Sequence, residues 1–489
     1  MRCHHGLVID DPERCYRAAR SRDARFDGWF FVAVTSTHIY CRPSCPAMPP
    51  KRTNMRFYPT AAAAQSAGFR ACKRCRPDAT PGSPSWNARA DLVGRAMRLI
   101  ADGVVDREGV AGLATRLGYS ERHLTRQLTT EVGAGPLALA RAQRSQTARI
   151  LVETTDLPFA EIAFAAGFSS IRQFNDTVRD VFAGTPSTLR RDARRHRPAP
   201  PAAGTLALRL PYRAPFDAAG LFAFLGARAV PGVESWDGAT YRRTLRLPHG
   251  SGTVALAAAD GYVACTLRLD ALADLTAAVA RARRVADLDA DPVAVADVLG
   301  ADPLLAPLVA AAPGRRVPGT ADGAELAVRA VLGQQVSVAG ARTLAGRLVA
   351  DCGEPLSVPD GALTHLFPTP AALAAMDPAR LAMPMARRRA LAGLCGALAD
   401  GSVTIDPGVD RAALDARLRA LPGIGPWTTA YIALRALGDP DAFLPTDLGV
   451  RHALERLGRP GDPAGAALAA ERWRPWRSYA LMHLWSSLG

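Results

Sequence analysis

Apolar and polar residues alternate with a different period in successive parts of the chain. Residues 29–34 (WFFVAV) and 38–41 (HIYC) are apolar runs of strand length, and 61–69 (AAAAQSAGF) has helical composition. Strand-like alternation returns in TLALRLPY, TYRRTLRLP, GTVALAAAD and YVACTLRLD, between residues 205 and 270. The intervening stretch, 88–195, and the stretch after residue 285 have helical spacing. The pattern predicts a multidomain α+β protein.

Two segments interrupt this periodicity and are predicted to be linkers. Residues 77–87 (PDATPGSPSWN) are rich in Pro, Ser and Gly, and residues 191–204 (RDARRHRPAPPAAG) run from basic to proline-rich. Together with the change of period near residue 285, they predict domains at 1–78, 88–195, 205–285 and 286–489. A chain of 489 residues is long enough for that number of domains.

Charge is distributed unevenly between the two halves. Residues 1–200 carry 31 Lys and Arg against 18 Asp and Glu, whereas residues 201–489 carry 29 against 27. A genome rich in G and C explains why only two of the cations are lysine, but it does not explain the asymmetry. The N-terminal part is therefore the predicted polyanion-binding half.

Two further properties narrow the class of protein. No apolar run reaches the length of a membrane span, and the first residues lack the core of a signal peptide. Five of the nine cysteines are scattered, which is a reducing-compartment pattern and not a disulfide framework. A cytoplasmic protein that does not contact membranes is expected.

The helical stretch 88–195 contains two similar units. Each has an apolar helix that ends at a glycine (Gly118, Gly167), then an aromatic residue, a predicted serine cap (Ser120, Ser169) and a second amphipathic helix. Glycine at the turn followed by a serine cap is typical of a helix-turn-helix. An ordinary small helical bundle is the alternative, but the repeat on a basic background favours DNA binding.

Four cysteines near the N-terminus have metal-ligand spacing. Cys41 and Cys45 form C-x3-C, and Cys72 and Cys75 follow after 26 residues as C-x2-C. Two close pairs of thiolates predict one tetrahedral Zn²⁺. Such a site is most often purely structural. The other interpretation is that a zinc-bound thiolate, kept ionised by zinc and neighbouring arginines, is a nucleophile.

A glycine-rich turn near the C-terminus is the third candidate site. Gly423 and Gly425 lie in LPGIG, between two predicted helices, where backbone N–H groups can bind a phosphate without a cationic side chain. Asp447 follows, at the predicted start of a helix. A carboxylate there is either an ordinary helix cap or a catalytic group.

These residues resemble three known families. IYCRPSC and FRACKRC resemble the N-terminal domain of Ada adaptive-response proteins, and AGFSS followed by GTPS is similar to AraC-type double helix-turn-helix domains. Residues 205–489 resemble the AlkA family of 3-methyladenine glycosylases, which belongs to the helix-hairpin-helix superfamily. The matching stretches are LGARAVPGVE, AVRAVLGQQVSVAGA, LPGIGPWTTAYIALRALG, FLPTDLGVRHAL and ERWRPWRSYALMHLW. The implied fold is a zinc-stapled α+β domain, an all-α DNA-binding domain, and an antiparallel-sheet subdomain before an all-α glycosylase domain.

The Ada and AraC resemblances imply roles for residues of the N-terminal half. Cys41 would be both a zinc ligand and the acceptor of a methyl group from DNA phosphotriesters, beside the DNA-binding Arg42 and Arg70. The recognition helices would contribute Arg122 and Arg126, then Arg172 and Gln173. Ada proteins usually continue into a second methyltransferase domain with a Pro-Cys-His-Arg motif, which this chain lacks, so transfer from guanine O6 is not expected.

The AlkA resemblance implies roles for residues of the C-terminal half. Asp447 would stabilise the cationic sugar as the base leaves, and Trp427, Tyr431 and Trp485 would stack on the base. Residues 201–489 contain no lysine, and Trp427 stands where strand-cutting relatives form a Schiff base, so a monofunctional hydrolase without cofactor is expected. Gln335 stands where the family has an apolar wedge.

Together the features predict a monomeric DNA repair enzyme and transcriptional activator. Its expected partners are alkylated DNA, promoter DNA and RNA polymerase. One alternative is a methylation-sensing regulator whose glycosylase fold only binds DNA; intact Asp447 and the aromatic residues argue against it. A zinc-stapled regulator that senses a small molecule is the other, but no ligand-binding barrel precedes the helix-turn-helix.

Overall fold

The computed structural model describes residues 11–77, 83–84, 89, 91–195, 204–377 and 380–488. The chain divides into two compact units. The first comprises Met1–Arg213, Pro248–Gly250 and Arg268–Ala280, and the second comprises Ala214–Leu247, Ser251–Leu267 and Arg281–Gly489. None of the helices in the described ranges is both long and apolar enough to cross a lipid bilayer.

The first unit begins with a small α+β fold. Helix α1 (Pro12–Arg20) precedes a four-stranded sheet of order β3-β1-β2-β4. The strands are β1 (Phe31–Val34), β2 (Ile39–Cys41), β3 (Met55–Tyr58) and β4 (Arg70–Ala71), and helix α2 (Ala61–Ser66) lies between β3 and β4. β1 pairs antiparallel with β2 and β3, whereas β2 pairs parallel with β4. The predicted strands at 29–34 and 38–41 are therefore confirmed, with slightly shorter bounds.

Within the described residues, seven helices follow in the first unit, and two pairs of them form helix-turn-helix motifs. They are α3 (Leu92–Ala101), α4 (Val104–Leu117), α5 (Glu121–Val132), α6 (Pro136–Thr154), α7 (Phe159–Ala165), α8 (Ile171–Phe182) and α9 (Pro186–Arg194). Gly118 and Gly167 adopt φ of +78° and +84°, which is the left-handed conformation that ends a helix at low cost only with glycine. The predicted glycine turns are confirmed.

The serine cap was predicted correctly in the first helix-turn-helix only. Ser120 caps α5 by accepting a hydrogen bond from His123 N. In the second helix-turn-helix the cap is Ser170, which accepts a hydrogen bond from Gln173 N at 3.1 Å, and not Ser169. Ser169 instead donates its backbone N–H and its hydroxyl to Gln173 Oε1. The prediction was wrong by one residue because two adjacent serines are equivalent in sequence but only one has the extended backbone of a cap.

The small α+β fold and the first helix-turn-helix share one hydrophobic core. Ala62 and Ala63 of α2 are 3% and 4% exposed and belong to the cluster that contains Leu124 and Leu128 of α5. Thr60, the N-cap of α2, donates its hydroxyl to Val132 O at 3.0 Å in a buried position. The two predicted domains therefore pack as one body within the first unit.

The second unit holds most of the remaining strands and helices, although Pro248–Gly250 and Arg268–Ala280 belong to the first unit. Strands β6 (Glu234–Trp236), β7 (Thr240–Leu247), β8 (Gly250–Ala259) and β9 (Tyr262–Leu269) lie side by side in the order β9-β8-β7-β6. An earlier strand, β5 (Leu206–Pro211), belongs to the first unit. The strands predicted between residues 205 and 270 are thus observed, and β6 is an addition.

Helices dominate after the sheet. They are α10 (Ala218–Ala227), α11 (Leu275–Val285), α12 (Pro292–Leu299), α13 (Ala306–Ala311), α14 (Gly323–Leu332), α15 (Val338–Cys352), α16 (Pro370–Ala375), α17 (Met385–Ala399), α18 (Arg411–Arg419), α19 (Pro426–Arg435), α20 (Leu448–Arg456), α21 (Pro463–Ala470) and α22 (Arg477–Ser486). One β-hairpin, β10 (Glu354–Asp360) with β11 (Leu363–Leu366), interrupts them. The expected all-α domain thus carries a two-stranded sheet, on which Leu356, Leu363 and Leu366 form a small separate core.

The predicted linkers are only partly described. Residues 78–82, 85–88 and 196–203, which include most of both linkers, lie outside the described residues. The second linker was predicted to begin at residue 191, but α9 continues to Arg194. The first four residues of the basic run, RDAR, are therefore helical, because arginine is a good helix former and two arginines in the last turn interact favourably with the helix dipole.

Candidate active sites and nucleic-acid interface

The four predicted metal ligands meet at one end of the small sheet. Cys41 is the last residue of β2, and Cys72 follows β4, its parallel neighbour, with Cys72 N donating to Tyr40 O at 3.0 Å. Two turns bring in Cys45 and Cys75. The sulfur atoms of all four lie within 4.8 Å of one another.

This geometry fits a tetrahedral zinc ion. Four thiolates at a Zn–S distance of about 2.3 Å are separated by about 3.8 Å, which falls within the 4.8 Å that encloses the four sulfurs. Hydrogen bonds from the other three thiols hold the pKa of Cys72 well below its usual range, and the pKa of Cys41 is raised by the same interactions. All four sulfurs can be ionised at this distance only with a cation between them.

The four cysteines differ in exposure. Cys45, Cys72 and Cys75 are buried, at 9%, 7% and 4% exposed, while Cys41 is only partly buried. Cys41 is therefore the residue of the cluster with the largest exposed fraction.

Two of the arginines around the cluster lie close to acidic side chains, which the sequence did not predict. Arg42 lies 3.5 Å from the buried carboxylate of Asp27, and Arg76 forms an ion pair with Glu153 of α6. Arg70 is partly buried on β4, where its backbone N–H donates to His38 O at 2.9 Å. The predicted contacts of Arg42 and Arg70 with DNA remain predictions, and Asp27 is a neighbour that sequence reasoning missed.

The predicted recognition residues lie on exposed helix faces. Arg122 and Arg126 are exposed on α5, where Arg126 Nη2 approaches His123 Nδ1 at 3.3 Å and His123 stacks on Tyr119. On α8 the side chain of Arg172 is 93% exposed. Gln173 is exposed, but its carbonyl oxygen is already bonded to Ser169. The two recognition helices therefore present cations to solvent, as a major-groove contact requires.

Asp447 is held by three donors at the start of α20. It is the N-cap, and its Oδ1 accepts from Val450 N at 3.0 Å and from Trp485 Nε1 at 2.8 Å. Its Oδ2 accepts from Trp427 Nε1 at 2.9 Å. An ordinary cap needs only the first of these bonds. The two indole N–H groups fix the orientation of a half-exposed carboxylate, which is the arrangement expected of a preorganised charge.

The predicted aromatic residues form a continuous wall beside Asp447. Trp427 stacks on Tyr431 with ring centroids 5.2 Å apart, and Tyr431 lies 6.5 Å from Trp485. Phe224, which the sequence analysis missed, stacks on Trp485 at 6.3 Å. All three predicted residues are partly exposed. Because one face of Trp427 is already covered by Tyr431, the roles in base stacking remain predictions.

Two arginines contact the aromatic residues of this wall. Arg228 lies over the ring of Phe224 at 3.6 Å, and Arg435 Nη1 donates to Tyr431 OH at 2.9 Å. Burial would raise the pKa of Tyr431, but the charges of Arg435, Arg228 and Arg329 outweigh it and the pKa is lowered. Positive charge thus lies next to the rings of Phe224 and Tyr431.

The glycine-rich turn joins α18 (Arg411–Arg419) to α19 (Pro426–Arg435). Gly423 has φ of +82°, and Gly425 is the N-cap of α19 with extended backbone. Gln334 ties this turn to the end of α14, since its side-chain amide donates to Gly423 O at 3.1 Å and to Thr428 Oγ1 at 2.9 Å. Nothing in the sequence marked Gln334, because its partners are distant in the chain.

Gln335 lies at an exposed tip between α14 (Gly323–Leu332) and α15 (Val338–Cys352). Its φ of +55° is unusual for a residue with a side chain, and the next residue, Val336, is 37% exposed. A protruding side chain on a strained turn is consistent with the wedge position but does not test it.

Four family models match successive parts of the chain. They are the metal binding domain of Ada at residues 14–78, a helix-turn-helix domain at 113–192, the AlkA N-terminal domain at 207–322, and the HhH-GPD superfamily of base excision DNA repair proteins at 328–478. The predicted order of zinc-binding, DNA-binding and glycosylase parts is confirmed.

Three known proteins illustrate the similarity. A probable bifunctional transcriptional activator/DNA repair enzyme AlkA of Mycobacterium tuberculosis (strain H37Rv) is 60% identical over 480 residues, which are 98% of this chain and 97% of the relative. DNA-3-methyladenine glycosylase 2 of Escherichia coli (strain K12) is 38% identical over 57% of this chain and 97% of its own length. The structure of a 3-methyladenine DNA-glycosylase from Archaeoglobus fulgidus, 20% identical, covers 57% of this chain and 97% of its own with a TM-score of 0.50, and shows the same fold.

Proposed function

The chain belongs to the family of bifunctional transcriptional activators and DNA repair enzymes, and from that premise we propose how its two sites act. The N-terminal site removes methyl groups from DNA phosphotriesters, and this methylation switches on promoter binding. The C-terminal site excises alkylated purines of the 3-methyladenine type. DNA is the partner of both halves.

Cys41 is the proposed methyl acceptor, and its exposure beside three buried cysteines is the observation that carries the proposal. Its Sγ attacks the methyl carbon of a phosphotriester. The new S–C bond forms as the C–O bond breaks, and the electron pair stays on the phosphate oxygen as a diester anion. When bound, zinc would be held by Cys41, Cys45, Cys72 and Cys75 and would keep the sulfur ionised. Because the thioether is stable, each molecule reacts once.

The proposed switch is electrostatic. Methylation converts a negatively charged sulfur of Cys41 into a neutral thioether, so the acceptor site repels the DNA backbone less. The gain in affinity arises at the acceptor surface where this repulsion is lost, while Arg122 and Arg126 on α5 and Arg172 and Gln173 on α8 contribute the contacts to promoter bases. Binding of a monomer to promoter DNA then recruits RNA polymerase.

The proposed glycosylase uses water as the nucleophile and Asp447 as the electrostatic stabiliser. As the C–N bond to an alkylated purine breaks, positive charge grows on the sugar, and the oriented carboxylate faces it. Trp427, Tyr431 and Trp485 take up the flipped base, Gln335 fills the gap it leaves in the duplex, and Gly423 and Gly425 bind a backbone phosphate. No cofactor takes part in this step.

One experiment tests both activities in the full-length protein. Duplex DNA carrying isotope-labelled methyl groups is incubated with the protein, and labelled peptide and released bases are measured by mass spectrometry. We expect one methyl group on Cys41 and release of 3-methyladenine. Cys41→Ser should lose the first product and keep the second. DNA binding without base release would favour a regulator whose glycosylase fold only binds DNA.

A further inference from the structure

A buried carboxylate lies beside the cysteine cluster and has no role in the site described so far. Asp27 is 5% exposed and follows a short 3-10 turn before β1. Its Oδ1 accepts from Ser44 N at 3.0 Å, and its Oδ2 accepts from Ser44 Oγ at 2.6 Å. Arg42 Nη1 lies 3.5 Å from the same Oδ2. All these donors belong to the three-residue loop between Cys41 and Cys45.

Burying the carboxylate of Asp27 costs free energy, so the contacts that offset this cost indicate a requirement beyond closing the loop. Burial raises the pKa of Asp27, while the hydrogen bonds of Ser44 and the charges of Arg42 and Arg213 counteract the rise. Arg213, itself 5% exposed, also donates to Asp27 O at 2.6 Å. A carboxylate needs this much compensation to remain buried. A loop that only had to close a C-x3-C turn would not require it.

We propose that Asp27 is a positioning residue for methyl transfer: it fixes the loop between Cys41 and Cys45 so that Cys41 Sγ stays open and Arg42 faces the DNA phosphate. The inference rests on the proposed methyl acceptance by Cys41. A second observation supports it, because the Arg42 side chain is 35% exposed although its Nη1 lies beside Asp27, so part of the guanidinium remains open to a phosphate oxygen.

The substitution Asp27→Asn tests the positioning role of this carboxylate. The amide oxygen can still accept from Ser44 N, but the amide nitrogen then faces two donors, Ser44 Oγ and Arg42 Nη1. Ser44 Oγ can rotate its proton away and accept from that nitrogen, but Arg42 Nη1 cannot, so Arg42 is released and its end of the loop loses its fixed orientation. Since a displacement of about 1 Å in a reacting geometry costs about a hundredfold in rate, we expect transfer from DNA to slow by about tenfold to a hundredfold.

Two methyl donors separate positioning from reactivity. Single-turnover rates are measured with methylated DNA and with iodomethane, a small electrophile that needs no phosphate contact, and zinc affinity is measured by chelator competition. In Asp27→Asn we expect the loss with DNA only, with the iodomethane rate and the zinc affinity within about threefold of wild type. Asp23→Asn is the matched control, because Asp23 is a neighbouring carboxylate bonded to Arg25 outside the loop, and it should transfer normally.

Ser44→Ala provides a milder second variant in case Asp27→Asn folds poorly. It removes only the hydroxyl donor, so we expect a loss of about threefold to tenfold with DNA and none with iodomethane. Equal losses with both methyl donors, weakened zinc binding, or an unchanged rate with DNA would each overturn the inference. If wild type fails to methylate Cys41 at all, the proposed function itself is wrong, and the two failures are thereby distinguished.

Discussion

Replacing Asp447 by Asn tests the glycosylase mechanism most directly. The change removes one negative charge and keeps the shape of the side chain. Asn is as good a helix cap as Asp, so the bond from Val450 N should survive and α20 should still begin at the same place. The amide group can accept only one of the two indole hydrogen bonds, because its nitrogen is a donor. With the amide oxygen in the position of Oδ1, the partly buried indole of Trp427 is left unpaired, at a cost of about 1 kcal/mol in stability.

The expected effect on catalysis is much larger. Opposite unit charges about 4 Å apart, at the effective dielectric constant of about 20 typical of a partly exposed site, attract by about 4 kcal/mol. Since about 1.4 kcal/mol corresponds to a factor of ten in rate, Asp447→Asn should slow base release about a thousandfold. Trp427→Phe keeps the ring but removes one donor that orients the carboxylate, and it should cost about tenfold.

The assay is single-turnover release of 3-methyladenine from methylated duplex DNA. Asp462→Asn is the matched control, because Asp462 caps α21 by accepting from Gly465 N at 2.8 Å, as Asp447 caps α20. It should leave the rate within about twofold of wild type. An Asp447→Asn rate within about tenfold of wild type would refute the electrostatic argument, and an equal loss in Asp462→Asn would show that capping is being measured.

Three further results are expected. Methylated protein should bind its promoter more tightly than unmethylated protein, with a steep fall in affinity as salt rises in a fluorescence titration; equal affinities would contradict the switch. Gln334→Ala should free the turn at Gly423 and weaken binding to abasic DNA by about fivefold in the same titration, whereas unchanged binding would mean that the turn needs no support. Borohydride should trap no protein–DNA adduct on a denaturing gel, because residues 201–489 contain no lysine; a trapped adduct would indicate a lyase.

How much the sequence predicts depends on how local each feature is. The cysteine cluster, the helix-turn-helix turns and Asp447 were found because each is marked by residues a few positions apart. Asp27 and Gln334 were missed because their partners are 17 and about 90 residues away. Neither residue type is rare enough to signal a contact by itself, and only the fold brings each to its partner.

The β-hairpin of β10 and β11 was missed for a different reason. Its buried residues are few and its strand faces are mostly exposed, so no apolar alternation is visible. Phe224 was overlooked because an aromatic residue in an apolar helix is ordinarily core, and its stacking on Trp485 becomes visible only once α10 and α22 are placed. Site residues brought together from distant elements require the tertiary structure.

The core shared by Ala62, Ala63 and α5 has a consequence for how such a protein can be divided or evolve. A chain cut at the proline-rich segment after residue 77 would separate two parts that bury the same side chains, and the DNA-binding part would be left with an apolar surface in water. The small α+β fold and the first helix-turn-helix are therefore coupled through this core. Substitutions on α2 should be compensated on α5, and replacing either part alone should require repacking of the other.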